Sequence, residues 1–259
     1  SRADISLPGK QEQLLEELSK QGKPVVLVIM AGRPITIDKL LPKIPAVIMA
    51  WHPGTMGGPA LADLLSGKVN FSGKLSVTWP KMAGQIPIYY NHTQTGRPAD
   101  SISFVGIKDI PIEAWQSSLG NNSHYLDAGF KPQFPFGYGL SYTGFAYSDL
   151  SLKKQILGTK ENLDVEVTVK NTGKMKGTET VQLYVRDLVG SLVRPVKELK
   201  GFQQVVLEPG EQKRLRFSVA VAELGFHNQK MVYTVEPGSF KLWVGTHSAS
   251  GLEAGFEVK

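Results

Sequence analysis

The side chains best suited to bond cleavage in this sequence are carboxylates. Two carboxyl groups about 5–5.5 Å apart can serve as acid and nucleophile in the retaining hydrolysis of a glycosidic bond. Each candidate also fits a helix cap, a turn former or a solvated charge, and the spacing favours no pair. The residues alone therefore display no complete catalytic site. The candidates are Asp4, Asp63, Asp100, Asp109, Glu113 and Asp127.

Other catalytic chemistries have less support. There is no G-x-S-x-G turn for a nucleophilic serine, and the lack of cysteine excludes thiolates, disulfides and zinc–cysteine sites. The five histidines are far apart, without an H-x-x-x-H pair, so neither a metal ion nor another cofactor is expected. The segment 67–75 imitates a phosphate-binding loop, but its glycine spacing is one residue too long and Leu75 replaces the magnesium-binding Ser or Thr.

Charge and hydropathy limit the partners. The net charge is +6, but Lys and Arg are scattered without a run of five, so nucleic acid is not expected. The longest apolar run, Val25 to Ala31, is too short to span a bilayer, so no membrane association is expected. The first residues lack the apolar core of a secretory signal. A length of 259 residues predicts one or two domains.

The first part of the chain alternates helical and strand patterns. A helix is predicted over Lys10–Gln21, and two strands covered on both faces, as in a parallel sheet, over Val25–Met30 and Ala46–Ala50. The second strand leads into the glycine-rich loop Trp51–Gly58 and a helix over Pro59–Leu65. Such a loop follows the carboxyl end of a strand, where α/β sheets bind ligands. The same glycines would also be needed for a tight turn alone.

Two further segments precede a change of pattern. Leu75–Trp79 alternates like a strand, whereas residues 81–133 lose periodicity, which favours a functional lid or an extended wrapping segment. Glycines and aromatic residues then alternate in Phe134–Thr143. This run predicts a hinge whose aromatic rings join a second module to the first, although a packed turn without chemistry has the same composition.

The remainder of the chain reads as short strands separated by turns. Leu163–Val169 alternates apolar and polar residues, as expected of a sheet with one solvated face. Turn residues such as Pro209-Gly210 separate the runs. The pattern predicts a two-sheet sandwich of the immunoglobulin or fibronectin type III kind without a disulfide. The predicted strands are 145–152, 163–170, 180–186, 199–207, 213–219, 231–235, 239–244 and 255–258.

Ordered motifs along nearly the whole chain resemble glycoside hydrolase family 3. Phe136–Thr143 is similar to the family signature FGYGLSYT. Met56 stands where many relatives have Glu, and Asn70-Phe71 where they have Asn-Pro. Further matching segments are SR-x-D-I-x-L-P at 1–8, GKPVVLV at 22–28, GRP at 32–34, W-x-P-G-x-x-G-G at 51–58, AD-x-L at 62–65, SGKL at 72–75, QIP at 85–87, YYNH at 89–92 and TGRP at 95–98.

The resemblance implies a mixed fold, α/β plus all-β. Residues 1–143 would form a partial α/β sandwich domain with an extended linker, and 144–259 a fibronectin type III-like, immunoglobulin-like β-sandwich. In three-domain relatives an N-terminal (β/α)8 barrel precedes them and carries the nucleophilic aspartate. The acid/base glutamate lies a few residues before the SR segment. We therefore expect no catalytic carboxylate in this chain itself.

The resemblance further implies a retaining β-glycosidase, most simply a bacterial periplasmic or secreted β-glucosidase that hydrolyses terminal non-reducing β-D-glucosyl residues. This chain would complete the active-site wall and be inactive in isolation. Its expected partners are β-linked glucosides or oligosaccharides and the barrel portion of the same enzyme. The residues expected to line the site by stacking on sugar rings and bonding hydroxyl groups are Arg2, Trp51, His52, Met56, His92, Arg97, Tyr125 and Asp127.

Two hypotheses of another class remain. The chain could be a non-catalytic carbohydrate-binding or adhesion module, in which an α/β partner accompanies a sandwich. Alternatively, the fibronectin-like domain could serve only in domain packing or dimerisation, so a homodimer is among the expected assemblies.

Overall fold

The structure is a computed structural model that describes residues 2–102, 104–114 and 122–259. Its contacts divide the chain into two compact units. The α/β unit comprises Ser1–Leu65, Val77–Ile88 and Thr95–Phe134, and the sandwich unit comprises Ser66–Ser76, Tyr89–Gln94 and Pro135–Lys259. Three segments before residue 144 thus fold with the strands that follow it. The boundary predicted at residue 143 stays a prediction.

The α/β unit contains the helices and strands predicted for it. Helix α1 spans Gln11–Ser19 and helix α2 spans Gly57–Leu65. Strand β1, Val26–Ile29, pairs in parallel with β2, Ala46–Met49. A short apolar run that contains Val and Ile and begins just after a proline favours each strand over a helix. These four predictions are confirmed to within a few residues at each end.

The expected burial of the two strands is wrong. Only Ile29 of β1 is buried, while Val26 and the following Met30 are exposed. Among the described residues the sheet has two strands, so both of them are edge strands. The core of this unit instead gathers residues from the loops, namely Ile5, Ile35, Ile37, Leu40, Ile44, Trp79 and Ala128 together with Ile29.

The predicted strand Leu75–Trp79 is also wrong. Trp79 forms an isolated antiparallel bridge with Phe134 inside the α/β unit. In the sandwich unit, the amide of Leu75 donates to the carbonyl of Tyr138 at 2.8 Å. The segment therefore divides its backbone pairing between two units, and no continuous ladder forms. Alternation alone could not reveal this, because both partners lie far along the chain.

The aperiodic segment 81–133 has little regular structure in its described part. It contains the short 3-10 helices Ala83–Gln85 and Ile107–Asp109 and a few isolated pairings. Gln85 is buried and anchors it, since its side-chain oxygen accepts from the amide of Lys81 at 2.7 Å and its amide donates to Lys131 O at 3.3 Å. These two contacts tie the beginning of the segment to its end.

The sandwich unit is built from two mainly antiparallel sheets and a short hairpin. The larger sheet has the order β4-β12-β11-β6-β7, with β4 joining in parallel at its edge, and the smaller has the order β3-β5-β8. The strands are β3 Phe145–Leu152, β4 Ile156–Leu157, β5 Asn162–Asn171, β6 Gly177–Asp187, β7 Glu198–Leu207, β8 Gln212–Ala220, β9 Phe226–His227, β10 Tyr233–Thr234, β11 Gly238–Gly245 and β12 Leu252–Val258.

Alternation along the strands explains the sandwich core. Leu163, Val165 and Val167 on β5 are completely buried, as are Val181 and Leu183 on β6. The polar residues between those of β5 point to the solvated side, so the sheet has the one-faced character expected from the sequence. The predicted sandwich is confirmed. Of the predicted strand 231–235 only β10 forms, and the two-residue strands β4 and β9 were not predicted.

Aromatic rings from three segments pack inside the sandwich unit. The ring of Phe136 stacks on Tyr90 at a centroid distance of 4.4 Å, and Tyr90 meets the edge of Tyr184 at 5.8 Å. Gly137 has a φ of +80°, and its carbonyl accepts from the side chain of Gln182 at 3.1 Å. These contacts hold the aromatic motif, which we define as residues 135–143, against the larger sheet. All of them lie within the sandwich unit.

Candidate functional site

The carboxyl ends of β1 and β2 form the candidate site. Because the strands are parallel, the loops that follow them leave from the same edge of the sheet. The amide of Ala50 still donates to Ile29 O at 2.8 Å, so the pairing continues one residue past β2. We call this place the strand edge and define it by the loops 30–36 and 50–56.

Trp51 leaves the strand edge in an unusual backbone conformation. Its φ is +51°, a left-handed value that bulky residues rarely adopt. Its ring lies edge-on to that of Trp79, with 6.4 Å between centroids and 62° between planes. Trp79 is 2% exposed and donates from Nε1 to Ile35 O at 3.0 Å. The indole of Trp51 is half-buried, so part of its surface stays open to a ligand.

His52 lies across the other loop of the strand edge. A Cβ atom built on Gly32 would come within 2.8 Å of the Nε2 atom of His52, closer than real contacts allow. Only glycine at position 32 therefore leaves room for this ring position. The side chain of His52 is exposed, so the ring can donate to or accept from a hydroxyl group.

The first residues of the chain run alongside the loop after β1. Ser6 and Thr36 form a parallel bridge, and the guanidinium of Arg33 donates to Arg2 O at 3.0 Å. Arg2 therefore lies beside the strand edge, as do Trp51 and His52. The hydrogen bond from the amide of Ser6 lowers the pKa of Asp4, which keeps this exposed carboxylate ionised in a local turn.

Met56 completes the first group of predicted residues. It immediately precedes α2 and is 68% exposed. The close approach of Gly57 to Pro53, where a Cβ would come within 2.6 Å, fixes the turn into the helix. The loop therefore presents the unbranched, polarisable side chain of Met56 at a position where many members of the resembled family have Glu.

A second group of predicted site residues lies in the range 95–134 of the same unit. The amide of Ser123 donates to Arg97 O at 2.8 Å. Tyr125 and Gly129 exchange two backbone hydrogen bonds of 3.3 and 2.7 Å, so the intervening turn presents Asp127 to solvent. Tyr125 itself is exposed. The structure thus brings Arg97, Tyr125 and Asp127 into one local cluster.

The segment 79–81 touches both groups. Trp79 contacts Trp51, and the ammonium of Lys81 donates to Ala128 O at 3.1 Å, next to Asp127. His92 belongs to the sandwich unit. Its Nδ1 lies 3.0 Å from Thr93 O, its backbone carbonyl accepts from Val196, and its ring is exposed.

The remaining chemistry of the described residues is limited. Within residues 2–102, 104–114 and 122–259, no three His, Asp or Glu side chains are grouped so that they could hold a metal ion. Asp100 caps a turn through the amide of Ile102 at 2.8 Å. In the same part of the chain, no helix has the length and apolar character needed to cross a bilayer.

Sequence reasoning missed Trp79 and Gly32 as parts of the site. The sequence pattern predicts Trp79 as part of a strand, and Gly32 enters only as the first residue of the GRP segment. The Trp-Pro pair at 79–80 was the available indication that the strand pattern ends at a ring with another role. The contacts of both residues depend on packing between distant loops.

Comparison with known proteins identifies the chain. Residues 1–142 match the family model of the glycosyl hydrolase family 3 C-terminal domain. The chain belongs to glycosyl hydrolase family 3. Residues 179–248 match a fibronectin type III-like domain, in agreement with the sandwich. The resemblance and the mixed α/β plus all-β fold predicted for this family 3 chain are therefore confirmed.

Its relatives are longer glycosidases. The periplasmic beta-glucosidase of Salmonella typhimurium is 40% identical over 258 residues, which are 100% of this family 3 chain and 32% of that protein. A beta-xylosidase of Formosa agariphila is 38% identical over 95% of the chain and 31% of its own length. The crystal structure of a beta-glucosidase from Listeria innocua in complex with glucose has a TM-score of 0.91 and 40% identity, and the match covers 100% of this chain and 34% of that one. The chain thus spans about a third of the relatives it matches.

Proposed function

We propose that this chain is the C-terminal portion of a retaining β-glucosidase that hydrolyses terminal non-reducing β-D-glucosyl residues. The observation that carries the proposal is the family match over residues 1–142, joined to 40% identity with a protein named a beta-glucosidase. The parent enzyme would act by double displacement through a glycosyl-enzyme. An N-terminal (β/α)8 barrel portion would supply the nucleophile, and the acid/base glutamate would precede this chain.

The chain's own part in the reaction is to bind and orient the sugar. The open surface of Trp51 would stack on the apolar face of a pyranose ring, while His52 and Arg2 would bond its hydroxyl groups. Their meeting at the strand edge supports this assignment. Loops at the carboxyl ends of parallel strands also exclude water from one side of a bound ligand.

The second group supplies a further wall in this proposal. Asp127 would accept from a sugar hydroxyl, Arg97 would donate to one, and Tyr125 would offer its ring. Met56 would touch the ligand through its thioether chain, and His92 stays a predicted sugar contact. Exposure of all five side chains supports their availability.

Compartment and assembly complete the proposal. We assign the enzyme to the bacterial periplasm or to secretion, and the name of the Salmonella relative supports this. β-Linked glucosides or oligosaccharides are the proposed substrates, with no nucleic acid or membrane partner. A homodimer stays a prediction, which sedimentation of the full-length enzyme would test.

Hydrolysis of aryl β-glycosides tests the proposed function. The full-length enzyme should hydrolyse p-nitrophenyl β-glucoside faster than the β-xyloside, whereas residues 1–259 alone should give no turnover. Trp51→Ala should raise KM for the glucoside about tenfold, as loss of one stacking contact of 1–1.5 kcal/mol would. Phe202→Ala, an exposed aromatic position on β7, is the matched control and should leave KM unchanged.

Three outcomes would contradict the proposal. Turnover by residues 1–259 alone would place catalytic carboxylates within the chain. Preference for the xyloside would overturn the assigned sugar. Tight binding of cello-oligosaccharides by these residues alone, with no activity in the full-length enzyme, would favour a non-catalytic binding module.

A further inference from the structure

We propose that Trp79 is a positioning residue, which holds Trp51 in its left-handed conformation and thereby fixes both Trp51 and His52 at the strand edge. The consequence of this role for sugar binding rests on the proposed function. Trp79 itself would not touch the substrate, because it is 2% exposed.

The backbone of Trp51 needs an external constraint. A left-handed φ of +51° brings Cβ close to the following carbonyl oxygen, and glycine, asparagine and aspartate tolerate this better than tryptophan. Such a conformation persists only where the surroundings over-determine it. The ring of Trp51 has one aromatic partner in the described part of the chain, and that partner is Trp79.

Trp79 is fixed on several sides. Its indole N–H donates to Ile35 O, in the loop after β1, at 3.0 Å. Its backbone N–H donates to Phe134 O at 2.9 Å, and the two rings meet edge-on at 6.4 Å. One buried ring therefore connects the loop that follows β1 with the loop that follows β2.

The position of His52 depends on the same contact. His52 is the residue after Trp51, and its ring occupies the space left by the missing side chain of Gly32. If the φ of Trp51 relaxed to a negative value, the direction of the chain would change and the His52 ring would leave Gly32. Trp79 therefore acts on the ligand through both residues.

A double-mutant cycle in the full-length enzyme tests this role. Trp79→Phe keeps an aromatic ring, but it removes the N–H donor and reduces the area of the edge contact with Trp51. It should raise KM for p-nitrophenyl β-glucoside about threefold to tenfold, with kcat changed less than twofold. In a Trp51→Ala background the same substitution should change KM less than 1.5-fold, because its target is gone. Trp243→Phe, in the sandwich unit, is the matched control.

The outcomes separate this role from the proposed function. If Trp51→Ala leaves KM unchanged, the proposed sugar site fails whatever Trp79 does. If Trp51→Ala raises KM but Trp79→Phe does not, the positioning role is overturned. Equal effects of Trp79→Phe in both backgrounds would also overturn it, because a merely structural role would act without Trp51.

A spectroscopic measurement covers the case in which Trp79→Phe fails to fold. Two indole rings 6.4 Å apart should give an exciton couplet in the circular dichroism spectrum of the unmodified protein. Trp51→Phe should abolish the couplet, and Trp243→Phe should leave it intact. A spectrum without the couplet, or a couplet that survives Trp51→Phe, would overturn the contact on which the role depends.

Discussion

The ammonium of Lys74 lies 3.1 Å from the carboxylate of Glu179, and only 2% of the Glu179 side chain is exposed. The hydroxyl of Tyr147 donates to the same carboxylate at 2.8 Å, and Lys74 also donates to Gly139 O at 3.1 Å. Burial and the neighbouring carboxylate raise the pKa of Tyr147, so the phenol stays protonated and keeps donating. This network attaches the segment 66–76 and the aromatic motif to β6.

Lys74→Met should destabilise the sandwich unit strongly. Removing one member of a buried ion pair leaves the carboxylate of Glu179 without a counter-charge, which typically costs about 3–5 kcal/mol. Urea-induced unfolding followed by circular dichroism would measure the loss. The matched control is Lys176→Met, which breaks an exposed pair with Glu208 and should cost less than about 1 kcal/mol. Similar losses in both variants would contradict the importance of burial here.

Gly137→Ala should destabilise the protein more than the same substitution at another glycine of similar φ. Gly137 has a φ of +80°, and an added Cβ would lie 2.0 Å from Oε1 of Gln182. Gly210 has a φ of +77°, but nothing lies within 4 Å of its virtual Cβ. Gly210→Ala should therefore cost only the backbone strain of about 1–2 kcal/mol, and Gly137→Ala clearly more. Thermal unfolding would compare them, and equal losses would exclude a packing effect of Gln182.

Because of Lys197, the free energy of unfolding should increase with pH in alkaline solution. Burial lowers the pKa of Lys197 to about 8, although its ammonium donates to Ser248 O at 2.8 Å and lies 4.1 Å from the ring centroid of Trp243. Between this value and the ordinary pKa of 10.5, the unfolded chain binds more protons than the folded one, so stability increases with pH in that window.

Unfolding of the unmodified protein and of Lys197→Met at pH 7 and pH 10.5 would measure the effect of Lys197. The unmodified protein should gain about 1–2 kcal/mol relative to Lys197→Met, after allowance for solvent screening of a half-buried group. Lys230→Met, at an exposed position, should follow the unmodified protein. A constant difference between the unmodified protein and Lys197→Met would contradict the lowered pKa.

His247 should cause a loss of stability in acid. Burial first, and then the positive charges of Lys74 and Lys197, lower the pKa of His247 below its usual 6.5. Its neutral Nδ1 accepts from the amide of Ala249 at 3.2 Å. Below pH 6.5 the unfolded chain takes up a proton before the folded one does, so the stability that His247 contributes falls as pH decreases through the folded value.

The pH dependence of unfolding in two variants would check the effect of His247. His247→Gln should flatten the decrease below pH 6.5, whereas His227→Gln, at an exposed position, should not. If His247→Gln leaves the slope unchanged, the acid sensitivity has another origin.

Local patterns could predict the elements but not their partners. The alternation of β5 identified its buried face because a sheet with one solvated side imposes a period of two. Glu179 is in phase with Val181 and Leu183, so its sequence position already places a charge on the inward face. Its partner Lys74 comes from a distant segment, and no local rule connects the two residues.

The candidate site was predictable to the same extent. An apolar strand followed by a glycine-rich loop indicated the segment Trp51–Gly58, because ligands meet α/β sheets at that end, whereas Trp51 and His52 were selected with the family resemblance. The roles of Trp79 and Gly32 could not be predicted, since each depends on contacts between two loops. The incomplete burial of β1 and β2 was also unpredictable, because a hydrophobic run does not reveal how many layers cover it.

The order in which the chain visits its two compact units has an evolutionary consequence. It crosses between them five times, after Leu65, Ser76, Ile88, Gln94 and Phe134. A recombination event that transferred residues 144–259 as one uninterrupted cassette would leave Lys74, Tyr90 and Gly137 behind in the donor. The recipient would inherit an inward-facing carboxylate at Glu179 and a glutamine at Gln182 without their complements. The two halves of this gene are therefore expected to descend together.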